Sequence, residues 1–173
     1  MKKTFAILLF ATFLSVPLYA QTHHYADNGI CTDAGCTDPY QPAELINGYY
    51  QLANAGNVEW FSQQVNMGGN NIFLNAVLTA DIDMKGVTHT PIGSSTAHKF
   101  NGKFDGQGHR ILNMVINTTS PYQGFFGSLR GGGTVVQNLI IDKSCRINGG
   151  VRTGGIAGGA QTTPNNEPIR IIN

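Results

Sequence analysis

The sequence predicts an all-β protein wound as a right-handed parallel β-helix and capped by one short N-terminal α-helix, with a β-sandwich as the alternative. Three observations carry this expectation. Charged residues make up only 12% of the 173-residue chain while glycine occurs 22 times, a balance that disfavours helical bundles and charged disorder and favours short strands joined by turns. The pattern Ile-x-Asn-Met-x-Ile at residues 111–116 returns as Val-x-Asn-Leu-x-Ile at 136–141, and Ile171, Ile172 and Asn173 begin it again. Between these runs, Gly124-Phe125-Phe126-Gly127 returns as Gly155-Ile156-Ala157-Gly158.

The asparagine pattern has a geometric meaning. Side chains on one face of a strand differ by even numbers, yet Ile111 and Asn113 share one parity while Met114 and Ile116 share the other. Both apolar pairs reach one core only if the chain bends at the asparagine, a residue that tolerates the left-handed backbone a bend requires. The same switch falls at Asn138. Corners recurring at intervals of about 25 and 35 residues describe the coils of a solenoid. Stacked coils would set Asn113, Asn138 and Asn173 above one another in a hydrogen-bonded ladder, with Met114 and Leu139 inside. A buried, paired amide there would make Asn138→Leu cost about 1–3 kcal/mol. A sandwich would not need face switches at matching positions.

Upstream, MKKTFAILLFATFLSVPLYA has two lysines, an apolar stretch too short for a membrane span and Ala20 before a polar segment. Residues 1–20 are expected to be a secretory signal peptide. Lys2 and Lys3 lie within it, so the rest of the chain is close to neutral and shows no nucleic-acid footprint. Residues 21–48 read as an irregular, cysteine-containing leader. Cys31 and Cys36 suit a disulfide closing a tight loop in an exported chain, the alternative being a zinc knuckle that recruits His23 and His24. Cys145, in an apolar run, reads as a buried free thiol.

Residues 49–70 contain the capping helix. Asn54 is placed to cap its first turn, Val58, Phe61 and Val65 share one face with Trp60 at its edge, and Gly68 and Gly69 end it. Residues 71–84 then read as a half-buried strand, and 71–173 as the coils. The helix would cover the upper end of the stack.

In order along the chain stand GYYQLANAGNVEWFSQQVN, AVLTADIDM, TPIG, FNGKFDGQGHRILNMVI, GFFGSL, VVQNLII and GGIAG. This series, over about residues 47–173, resembles the bacterial GLUG-type repeat proteins, secreted and cell-surface β-solenoids. The resemblance implies a β-helical scaffold outside the cell, used in adhesion or as an accessory region of larger secreted proteins, and it brings no catalytic residues with it. The leader is also similar to cysteine-containing leaders that precede such repeats, although four residues separate these cysteines where two are usual, which tells against zinc. Members of the family usually continue with more coils, so the resemblance implies a longer parent protein.

The residues offer little chemistry. Polysaccharide-cleaving β-helices need clustered carboxylates, and the best pair here, Asp81 and Asp83, reads equally as a solvated strand end. His89, His98 and His109 are scattered without a nucleophile at motif spacing, and Asp105 reads as a turn former. Phe125 and Phe126 read as core. The expectation is therefore a non-enzymatic, cofactor-free adhesion or binding module for an extracellular protein or glycan, with Tyr40, Tyr49, Tyr50 and Tyr122 as a stacking surface. The alternative is the accessory domain of a secreted protease or polysaccharide-degrading enzyme. An open lower end of the stack would invite self-association.

Overall fold

The computed structural model describes residues 22–163 and 168–173; the expected signal peptide lies outside them. The leader is more ordered than its composition suggests. Antiparallel bridges join Tyr25 to Cys31 and Ile30 to Tyr40, and Cys31 and Cys36 form a disulfide. Its last residues belong to a hairpin of β1 (Glu44–Ile46) and β2 (Tyr49–Leu52). Asn47 and Gly48 turn it with φ of 50° and 81°, the left-handed pair that a two-residue hairpin turn demands.

Helix α1 (Ala55–Asn66) begins where Asn54 accepts the Asn57 backbone N–H at 2.8 Å. Val58, Phe61 and Val65 are fully buried and Trp60 packs beside them. Gly56 lies against the leader, where a Cβ would sit 2.0 Å from the Gly29 carbonyl oxygen. No helix among the described residues is long and apolar enough to cross a membrane.

The single strand expected over residues 71–84 is instead a 3₁₀ turn at Gly69–Phe73 followed by two short strands, β3 (Ala76–Leu78) and β4 (Ile82–Asp83). The chain breaks here because it has already reached a corner between two sheets. Strands β5 (Lys103–Asp105), β6 (Arg110–Leu112), β7 (Val115–Asn117) and β8 (Phe126–Arg130) make the next winding. Then come β9 (Val135–Gln137), β10 (Ile140–Ile141), β11 (Arg146–Asn148) and β12 (Ala157–Gln161), and β13 (Arg170–Ile172) starts another.

From β2 onward each strand pairs in parallel with its counterpart one winding away, while β1 adds antiparallel at the edge, giving sheets ordered β1-β2-β3-β5-β9-β13, β4-β6-β10, β7-β11 and β8-β12. This is a parallel β-solenoid of about three turns. It begins earlier than residue 71: Tyr50 pairs with Ala76, so β2 is already part of the long sheet and α1 is an excursion from the first winding.

The register corrects the asparagine ladder. Tyr50, Ala76, Phe104, Val136 and Ile171 lie in one column, so a winding takes about 26 to 35 residues, within the solenoid range. Asn138 sits at the corner after β9, level with Asn173. Asn113 sits at the next corner of the previous winding, between β6 and β7, where its N–H donates to Ser144 Oγ at 3.0 Å. Both asparagines do bend the chain, with φ of 54° and 51°. They are two different corners, and they look alike because each must return an apolar residue to the core after the bend. The amides are not buried either. Asn138 is exposed, and its Nδ2 donates to Asp105 Oδ1 at 2.9 Å, as Asn113 Nδ2 does to Asp83 Oδ1 at 2.8 Å. Windings are joined at these corners by Asn-to-Asp steps on the surface. An Asn-to-Asn step exists elsewhere, from Asn148 Nδ2 to Asn117 Oδ1 at 2.9 Å.

The expected cost of Asn138→Leu therefore changes its origin. Leucine loses the bond to Asp105 and must hold a left-handed φ, which disfavours side chains by about 1–2 kcal/mol. Asn138→Gly loses the same bond but relaxes at φ, so chemical denaturation should show the leucine variant less stable than the glycine variant by about 1 kcal/mol.

The glycine boxes stack as their sequence suggests. Phe126 pairs with Ala157, and the Phe125 and Phe126 N–H groups donate to the Gly155 and Ile156 carbonyls at 3.1 and 2.8 Å. Ile92 pairs with Phe126 from the other side, so Pro91-Ile92-Gly93 is an earlier level of the same column. Gly127 keeps that column close, since a Cβ there would meet the Gly93 carbonyl oxygen at 2.7 Å. Phe125 and Phe126 are fully buried and meet Phe104 edge-on at 5.4 and 5.2 Å. Phe61 of the helix meets Phe100 at 6.3 Å, extending the core to the cap. Cys145 is free and half-buried, with its thiol 3.2 Å from the Ile111 carbonyl oxygen, and burial pushes the thiol up from its ordinary value.

Candidate functional site

The long parallel sheet turns one set of side chains inward and presents the other in two outer columns. The first runs through Tyr49, Lys103, Val135 and Arg170, and the second through Gln51, Val77, Asp105, Gln137 and Ile172. At ordinary strand spacing the five parallel strands make this face about 19 Å across. It carries an open groove of about 320 Å³ lined by Tyr49, Val77, Lys103, Phe104, Asp105, Val135 and Gln137. Two further depressions adjoin it, one sharing Lys103 and Val135 and reaching Arg170, the other sharing Asp105 and reaching Asn138 and Asn173.

Asp105 is the chemical centre of the groove. Its Oδ1 accepts the Gln107 backbone N–H at 2.8 Å and Asn138 Nδ2 at 2.9 Å, and its Oδ2 accepts Gln137 Nε2 at 2.7 Å. Partial burial works to raise the carboxyl, but these three donors outweigh it and hold the group below the ordinary carboxylate range. It is a fixed acceptor, unsuited to donating a proton near neutrality. The aspartate expected to be only a turn former thus also braces the winding above it.

The four tyrosines do not form one surface. Tyr49 lines the groove. Tyr50 turns inward and packs edge-on against Trp60 at 5.1 Å, because parity along β2 sends alternate residues to opposite faces. Tyr40 belongs to the leader, where burial and the Glu59 charge raise its hydroxyl. Tyr122 lies on another side of the coil, with the Arg152 guanidinium 4.9 Å over its ring and Arg152 Nη1 donating to its hydroxyl at 2.7 Å.

Asp81 and Asp83 are hydrogen-bonded to the backbone and to a neighbouring corner. Asp81 accepts the Arg110 N–H at 2.9 Å, and Asp83 accepts Asn113 Nδ2 and the Lys85 N–H, which lower its carboxyl.

A buried pair escaped the sequence reading altogether. Glu59, in α1, and His89, in the turn after β4, are both fully buried at their side chains, with Oε1 and Nδ1 2.6 Å apart. His89 Nε2 donates to the Phe125 carbonyl at 3.0 Å, Glu59 Oε2 accepts the Thr90 N–H at 2.9 Å, and the imidazole stacks on Phe125 at 5.3 Å. Because Nε2 must carry a hydrogen to meet a carbonyl, a single proton lies between Nδ1 and Oε1, and the pair is neutral whichever atom holds it. It bolts the helix to the coils. The separation of 30 residues hid it, although Glu59 falls at i+1 from Val58, close to the apolar face.

In the leader, His23 rather than His24 approaches the cysteines. His23 Nδ1 lies 3.1 Å from Cys36 Sγ and 3.9 Å from Cys31 Sγ. His24 is turned to solvent and held by Asp33 at 3.0 Å. Position along an antiparallel segment decides this, since neighbours point to opposite sides.

The chain matches no protein-family model, no curated protein and no solved structure. Fold and outer face together define its class as a parallel β-solenoid bearing an open groove of mixed apolar and polar lining on its longest sheet.

Proposed function

We propose that the protein is an exported, non-enzymatic binding module that holds an extended glycan along the outer face of the long sheet. The observation that carries this reading is the groove itself: one tyrosine ring at its edge, beside a carboxylate and amides fixed by hydrogen bonds, and a lysine. A sugar ring offers an apolar face to an aromatic and hydroxyls to fixed acceptors and donors. The groove's open form suits a chain passing across several windings. Asp105 serves as an acceptor, and Lys103 donates across the same strand face.

Export rests on the signal-peptide pattern of residues 1–20, and the Cys31–Cys36 disulfide fits an oxidising compartment. The motif resemblance to GLUG-type surface solenoids supports the same reading. An array of soluble glycans probed with the chain tests it. Binding should be concentrated on one family of chains, and Tyr49→Ala and Asp105→Asn should each weaken it about 5- to 30-fold, as losses of about 1–2 kcal/mol imply. A blank array would remove the glycan reading and leave a protein partner as the alternative, whereas glycan binding unchanged in both variants would remove the groove as its site.

A further inference from the structure

We propose that the Cys31–Cys36 loop is a redox-gated zinc site, in which Zn²⁺ binds the reduced chain through Cys31 Sγ, Cys36 Sγ and His23 Nδ1. In the oxidised chain these three ligand atoms already lie within 4.8 Å of one another. Tetrahedral zinc sets its sulfurs about 3.8 Å apart and each sulfur about 3.6 Å from a nitrogen. His23 Nδ1 stands at 3.1 and 3.9 Å from the two sulfurs, so only the sulfurs have to part.

The histidine is unexplained by the disulfide alone. Its side chain is 12% exposed, and Nε2 lies 3.0 Å from Asp38 Oδ2. With Nε2–H donated to that carboxylate, the Nδ1 lone pair faces two sulfurs that carry no hydrogen between them. This carboxylate–imidazole arrangement is the one that fixes tautomer and ring orientation in metal-bound histidines. Asp33 Oδ2, 4.0 Å from Cys31 Sγ, or a water would fill the fourth position.

The ligands do not depend on the S–S bond for their placement. Thr32 N–H donates to the His24 carbonyl, Cys31 N–H to the Pro39 carbonyl and Cys36 N–H to the Asp33 carbonyl, at 2.9, 2.9 and 3.3 Å. These bonds hold the segments of His23, Cys31 and Cys36 together in either redox state. The chemistry balances with a dithiol as reductant: its two thiols supply two electrons and two protons, the protein S–S bond breaks to two thiols, and the reductant closes to a cyclic disulfide. Zinc then displaces one proton from each protein thiol. Four residues separate the cysteines, which argued against a knuckle of usual spacing; the third ligand comes from across the leader bridge, where sequence spacing is no guide.

The test uses the full chain carrying Cys145→Ser, reduced with a dithiol and desalted, with Co²⁺ as a spectroscopic probe and Zn²⁺ in competition. The reduced chain should take up cobalt with an intense thiolate-to-metal absorption band and release it to zinc, while the oxidised chain shows no band. His23→Ala should weaken zinc binding at least about ten-fold, and Asp38→Asn about 10- to 100-fold, with far-ultraviolet circular dichroism confirming that both variants keep the parent's fold. No thiolate band after reduction, or His23→Ala and Asp38→Asn both binding zinc as tightly as the parent, would overturn the site.

Discussion

Replacing His89 by leucine should cost about 3–5 kcal/mol of stability, measured as a lowered midpoint in chemical denaturation. The imidazole is the only side chain that meets Glu59 Oε1 among the described hydrogen bonds, and both groups are wholly buried. Without it a carboxyl group stays in the core with half its partners, and the Phe125 carbonyl loses the Nε2–H donor. The double variant Glu59→Leu/His89→Leu should recover part of the loss, because the unpaired acid is gone, the Phe125 carbonyl keeps the Ile92 N–H at 3.1 Å, and only the Thr90 N–H remains unmet. A double variant as unstable as the two single changes added together would show that the pair contributes by packing and not by mutual neutralisation.

Phe126→Ala should be comparably damaging, at about 3–5 kcal/mol. Phe126 contacts the rings of Phe100, Phe104 and Phe125 at 5.1–5.2 Å. Its backbone is fixed by pairing with Ala157 on one side and Ile92 on the other, so the windings cannot close over the space. Phe126→Leu, which fills more of the volume, should lose markedly less. Equal losses for the two would mean that the site collapses freely and that the aromatic cluster is not rigid.

The corners and glycine boxes were legible because their causes are local. A face switch at Asn113 or Asn138 follows from strand parity, and a glycine flanking an apolar pair follows from the close approach of the next winding. Placement of the helix was legible too, from Asn54 and the spacing of Val58, Phe61 and Val65. Phasing was not. The two asparagine corners satisfy the same local rule, and only the pairing of β6 with β10 and of β9 with β13 shows that they occupy different levels and different edges.

The site was legible to a smaller degree. Tyr49 and Asp105 were both visible as residues, but nothing local says that Tyr49 faces the groove while Tyr50 enters the core, or that Asp105 holds the amides of the winding above. Glu59 with His89, and His23 with the two cysteines, are pairings across segments whose chain separation carries no information about distance.

What the sequence determined by itself was a chain of short strands and left-handed corners, because steric limits on the backbone and alternation of side chains act within a few residues. Tertiary structure decided which corner lies over which, and through that which side chains share the groove. Inter-winding hydrogen bonds link residues about 30 apart, and turn segments of unequal length set their register.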